Sequence, residues 1–175
     1  MNIKYMSKCA LLCALICVLA PLSIPLSTLV PISLATFVIM LIGTIFDYKL
    51  STIAVCLYLL MGFVGVPVFA GYESGPTALF GVTGGFLFGY IPLAFCTAFL
   101  TSRRQYKLRG MLEGMIIGTA ILYLIGTIWF MVYLNTTIDK ALMACVIPFL
   151  LGDFIKIFMV CIISPKLKKA IGDKL

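Results

Sequence analysis

Histidine is absent from this chain. Without it no Ser-His or Cys-His nucleophile pair can form, and the usual hydrolase constellations are excluded. Seven cysteines are present, at 9, 13, 17, 56, 96, 145 and 161, but no C-x-x-C. With no histidine to join them, zinc and iron–sulfur sites have no ligand pattern to rest on, and no metal or cofactor is expected. The G-x-x-x-x-G-K-S/T phosphate loop is also missing, so the chain does not hydrolyse nucleotides by itself. Charge is scarce as well: 11% of residues carry one. That is too little polar surface for a soluble globular protein.

What fills the space is hydrophobic. The share is 63%, and mean hydropathy is +1.19. Six apolar runs follow one another, at about 5–22, 32–46, 50–66, 84–101, 110–134 and 141–164. They predict a single-domain, all-α integral membrane protein, a bundle of six transmembrane helices. The first run, after Lys4 and Lys8, has no small-x-small cleavage site and is expected to be a retained helix. Pro165 is expected to end the sixth. Trp129, Tyr123 and Tyr133 read first as interfacial anchors.

The net charge of +7 is unevenly placed. Lys4, Lys8, Lys49, Arg103, Arg104, Lys107, Arg109, Lys166, Lys168, Lys169 and Lys174 fall on one side of six crossings, and only Lys140 on the other. That asymmetry predicts a multi-pass protein of the cell membrane with both termini cytoplasmic. The links 21–31, 67–83 and 135–140 then face outside. Basic residues confined to short links are topology signals, and nucleic acid is not an expected partner.

Two charges break the pattern. Asp153 and Lys156 lie inside the last apolar run. Ionisable residues at such depth usually face a cavity or a partner. Their i, i+3 spacing puts them on one helix face. A carboxylate accepting N–H and an ammonium donating to a carbonyl suit a urea, amide or pyrimidine-like ring. A proton relay and a simple packing lock are the other uses of such a pair. The second unusual stretch is the link 67–83, with Gly71, Gly75 and Gly81, followed by Gly84 and Gly85. Its glycines permit tight turns and close backbone approach. Thr83, Gly84 and Gly85 open a helix whose free N–H groups favour an acceptor. On the first helix, Ala10 and Ala14 form a small-xxx-small face that lets another helix come close.

Several of these segments together resemble the BioY family, the biotin-binding S components of energy-coupling factor (ECF) transporters. They are Val30-Pro-Ile-Ser-Leu34 with Thr36, Leu57–Gly62 through Gly65–Gly71, Leu79-Phe-Gly81, Thr83–Gly89, and Gly152-Asp153 with Lys156. The resemblance spans roughly residues 10–160. It implies a vitamin-capture subunit that binds biotin from outside and is not an enzyme. Its partners would be a transmembrane coupling (T) subunit, met by Ala10 and Ala14, and a pair of cytoplasmic ATPases. Mapped onto this chain, the implied ligand contacts are Thr36, Gly71, Glu73, Gly75, Thr83, Gly84, Gly85, Phe86, Asp153 and Lys156. The chain departs from the family pattern at Ala35, where many members have Gln, and at Val82, which replaces Pro. Phe86 replaces Tyr, and Glu73 occupies a commonly uncharged position. An S component for another small vitamin, and a stand-alone proton-coupled carrier using Asp153, remain alternatives.

Overall fold

The computed structural model describes residues 3–24 and 30–171. Residues 25–29 of the proline-rich link and Lys174 of the tail lie outside the described residues. The elements run α1 (Ile3–Leu19), β1 (Ser23–Ile24), β2 (Ile32–Ser33), α2 (Ala35–Ile45), α3 (Tyr48–Phe63), a 3-10 turn (Ala70–Tyr72), α4 (Gly75–Leu79), α5 (Gly84–Arg103), α6 (Leu108–Leu134), α7 (Ile138–Cys145) and α8 (Ile147–Ile171). Among the described residues, three stretches are long and apolar enough to cross a membrane: Gly84–Arg103, Leu108–Leu134 and Ile138–Ala170. Ala35–Ile45 and Tyr48–Phe63 are shorter apolar helices.

α2 is apolar almost all round, with Thr36 and Thr44 its polar residues, and it is buried or half-buried throughout. Val38, Ile39, Met40 and Ile42 are each 2% exposed or less. Its 11 residues reach only about 16 Å at 1.5 Å per residue, well short of a bilayer core. The chain makes up the difference with a small antiparallel ladder, Ser23 opposite Ser33 and Ile24 opposite Ile32. Non-helical backbone at that depth is tolerated only when protein satisfies its polar groups. Here Leu34 N–H donates to the Leu22 carbonyl at 3.1 Å, and the Ser33 hydroxyl donates to the Ala20 carbonyl at 2.7 Å. Run two is therefore a strand leading into a short helix, because Ile32 and Ser33 enter the ladder.

α5 and α6 form the tightest seam. A Cβ on Gly114 would come 2.9 Å from the Thr97 backbone, and one on Gly118 would come 2.9 Å from the Leu93 side chain. Small residues at these positions let two backbones approach until dispersion holds them. At one end of the bundle the Asp47 carboxylate caps α3 by accepting the Leu50 N–H at 3.2 Å. Nearby, in the α5–α6 link, Lys168 covers the ring of Tyr106. Burial, and after it the Asp47 carboxylate, pushes the Tyr106 phenol above its ordinary range.

The sixth run departs from its expected form. It starts at Ile138, breaks at Val146 (φ −120°, ψ −56°) and restarts as α8. Pro148 accounts for the break, since its ring clashes with the carbonyl four residues back, yet it fits the first turn of a new helix. Pro165 does not end α8, which continues to Ile171. A proline inside a membrane helix is tolerated when its surroundings re-satisfy the freed carbonyl. The link 67–83 is also more ordered than a loop, because it holds the 3-10 turn and α4.

Candidate ligand-binding site

Asp153 and Lys156 are 4% and 8% exposed. Burying both charges is costly unless every polar atom finds a partner. The Lys156 ammonium donates to the Ser33 carbonyl at 2.9 Å, to Thr36 Oγ1 at 2.8 Å and to Asp153 Oδ1 at 3.0 Å. An ammonium has three N–H bonds, and all are used. Asp153 Oδ1 also accepts from the Thr36 hydroxyl at 3.4 Å. Its Oδ2 accepts from the Tyr123 hydroxyl at 2.6 Å, a short, charge-assisted bond. A carboxylate has about four acceptor positions, so Asp153 keeps capacity for a further donor. α8 is thus tied by polar bonds to the opening of α2 on one side and to α6 on the other.

Above this network lies a cleft made of two adjacent cavities that share five lining residues. The deeper one, with an empty volume of about 350 Å³, is lined by Thr36, Leu122, Tyr123, Phe149, Asp153 and Lys156. The shallower one, about 480 Å³ with its mouth included, is lined by Phe69, Ala70, Glu73, Thr83 and Leu87. Val30, Pro31, Ser33, Phe86 and Tyr90 line both. Apolar walls with a few convergent polar groups are the composition of small-molecule sites. Phe86 stacks near Phe149 at 6.5 Å between centroids, which forms an aromatic wall. Behind Tyr123, between α6 and α8, is an apolar groove of about 580 Å³ bordered by Ile116, Ala120, Leu150, Phe154 and Ile157. Tyr123 and Asp153 border both the groove and the deeper cavity.

Of the ten expected contact residues, the fold brings six to this cleft: Thr36, Glu73, Thr83, Phe86, Asp153 and Lys156. The four glycines do not line it. Gly71 and Gly75 take φ of 71° and 84°, left-handed values that suit glycine in turns. Gly71 N–H also holds the link to the Pro21 carbonyl at 3.1 Å. Gly84 and Gly85 serve packing: a Cβ on Gly84 would meet the Leu79 carbonyl, and one on Gly85 would meet Trp129. Trp129 has a role beyond anchoring, since its Nε1–H donates to the Gly81 carbonyl at 2.9 Å and pins the link. Tyr123, also read as an anchor, is the donor to Asp153. Tyr133 is half exposed, at 50%. Tyr90, Tyr123, Phe69 and Phe149 were not singled out as site residues from the sequence. For Tyr123 the available signal was a phenol in mid-helix, which needs a partner when buried.

Among the described residues no three His, Cys, Asp or Glu side chains converge on a metal position. The arrangement offers a fixed carboxylate edge at the floor, aromatic walls and a second carboxylate at the mouth. It can hold a small N–H-bearing ring, and it contains no nucleophile–base pair.

The sequence pattern of the BioY family matches residues 1–173. The chain belongs to the BioY family. Among BioY relatives, the biotin transporter BioY2 of Lactococcus lactis subsp. cremoris is 35% identical over 82% of this chain and 79% of its own length. The biotin transporter BioY of Thermotoga maritima is 35% identical over 80% of this chain and 82% of its own. The BioY fold is shared with a solved structure, described as the S-component for biotin from an ECF-type ABC transporter. That match has a TM-score of 0.86 and 26% identity, and it covers 95% of this chain and 92% of the other.

Proposed function

We propose that this chain is the substrate-capture subunit of a vitamin uptake transporter and that its ligand is biotin. The observation that carries the reading is Asp153, a buried carboxylate with spare acceptor capacity at the floor of an aromatic cleft. It sits in a chain whose relatives are named biotin transporters. Asp153 accepts a ureido N–H of the ligand. Lys156 neutralises and aims Asp153, because its three N–H bonds are already taken. It reaches the ligand only by giving up Ser33 or Thr36. The 3-10 turn and α4, with Glu73 between them, act as a lid at the mouth.

In this reading six segments cross the membrane: α1, α2 with its ladder, α3, α5, α6 and the α7–α8 run. The basic excess keeps both termini cytoplasmic, so the cleft opens outward. Ala10 and Ala14 lie on the exposed face of α1 beside Leu11 and Val18, which are 67% and 69% exposed. That face docks the coupling (T) subunit, which links the chain to a pair of cytoplasmic ATPases.

Calorimetric titration of the detergent-purified protein with biotin tests the ligand, and saturable one-to-one binding is expected. No binding would end the biotin reading. Accumulation of biotin in vesicles lacking ATPases would end the partner reading.

A further inference from the structure

The charges lining the cleft do not balance. Among the described residues that line it, Lys156 is the one cation, while Asp153 and Glu73 are both carboxylates. The Lys156 ammonium is fully engaged with Ser33, Thr36 and Asp153. It therefore has no N–H left for a second anion. Asp153 lines the floor cavity and Glu73 the mouth cavity, and the two share Val30, Pro31, Ser33, Phe86 and Tyr90 as walls. The sequence 21–31 contains no charged residue, and Glu73 is the only charge in 67–83. A ligand that sets its N–H-bearing ring on Asp153 must send its other end past Glu73. An end bearing a carboxylate meets a like charge there and no cation, which disfavours it. A neutral end meets no penalty, and an ammonium end gains a partner.

We propose that Glu73 is a specificity determinant that turns the cleft toward biotin with its acid group masked. Such ligands are amide-linked biotin, above all conjugates carrying a free amine, in preference to the free acid. The inference rests on the biotin reading of the site and names the form of that ligand. Glu73 acts through its charge at the mouth. Its backbone carbonyl accepts the Phe69 N–H at 3.0 Å, a bond that a glutamine keeps. Glu73→Gln therefore removes the charge and leaves the turn intact.

The test is equilibrium binding of three probes to the purified full chain and to Glu73→Gln. The probes are biotin, biotin amide, and biotin joined through an amide to a short diamine. For a solvent-facing charge at a few ångströms the expected effect is about threefold per step. In the unsubstituted protein the amine conjugate should bind tightest and the free acid weakest. In Glu73→Gln the acid should gain about threefold and the amine conjugate should lose about as much. High salt should compress the order in the unsubstituted protein. Free acid binding tightest in the unsubstituted protein, or an order unchanged by Glu73→Gln, overturns the proposal while leaving biotin as the ligand. Failure of all three probes to bind overturns the biotin reading and this inference with it.

Discussion

Two sides of the bundle are held together by different physics. The α5–α6 seam is a packing joint, where glycines such as Gly114 and Gly118 bring backbone against side chain with no room for a methyl group. α8 is held differently. Leu151, Phe154 and Phe158 on it are 72%, 70% and 62% exposed, and a Cβ on Gly152 would meet only Ile32, at 3.9 Å. Phe149 and Val160 of α8 are buried, and to that packing the polar network of Asp153 and Lys156 adds a second fastening. Packing makes a rigid wall for the cleft. Hydrogen bonds make a joint that a competing donor can enter. On the proposed function, the helix carrying Asp153 and Lys156 is the one whose ties a ligand would exchange.

The comparison breaks most sharply at Asp153. Asp153→Ala leaves a buried ammonium without its counter-charge, and breaking such pairs costs about 3–5 kcal/mol. Loss of measurable biotin binding by calorimetry is expected, together with a lower thermal unfolding midpoint. Unchanged affinity would remove Asp153 from the site. Next comes Tyr123→Phe, which keeps the ring but deletes the 2.6 Å bond to Asp153. Hydrogen bonds to charged groups contribute about 1.5–3 kcal/mol, so affinity should fall at least tenfold while the fold persists. A paired glycine experiment has the smallest effect and sharpens the contrast most. Gly114→Ala forces the α5–α6 backbones apart and should cost about 1–3 kcal/mol. Gly152→Ala, in open space, should stay within about 0.5 kcal/mol. Equal shifts in unfolding midpoint for the two would show that α8 is packed like the seam.

Much of this site is legible in the sequence because it violates a strong rule. Asp153 and Lys156 stand out only because charge in an apolar run is expensive. Glu73 and Thr83 follow from reading the 67–83 link as a mouth. Other parts carry no such mark. The break at Val146 changes no hydropathy, and Pro148 is its only trace. α4 is five residues long, below the length at which helical periodicity can be read. Gly85 marks a close approach but not its partner, which is Trp129 on α6. Tyr123 looks the same in sequence whether its hydroxyl meets the membrane surface or a carboxylate. Pro165 misleads for a related reason: whether a proline ends a helix or sits inside it depends on what satisfies the freed carbonyl.

Tyr123 has a further consequence. With the cleft on one face and the α6–α8 groove on the other, its ring is a partition one side chain thick. The groove is apolar, which suits a lipid tail in a bilayer. On the proposed function, the solvent behind the carboxylate at the floor would then be the membrane itself. Acyl-chain length and saturation become variables of ligand affinity, and an affinity measured in detergent belongs to a different solvent from one measured in a bilayer.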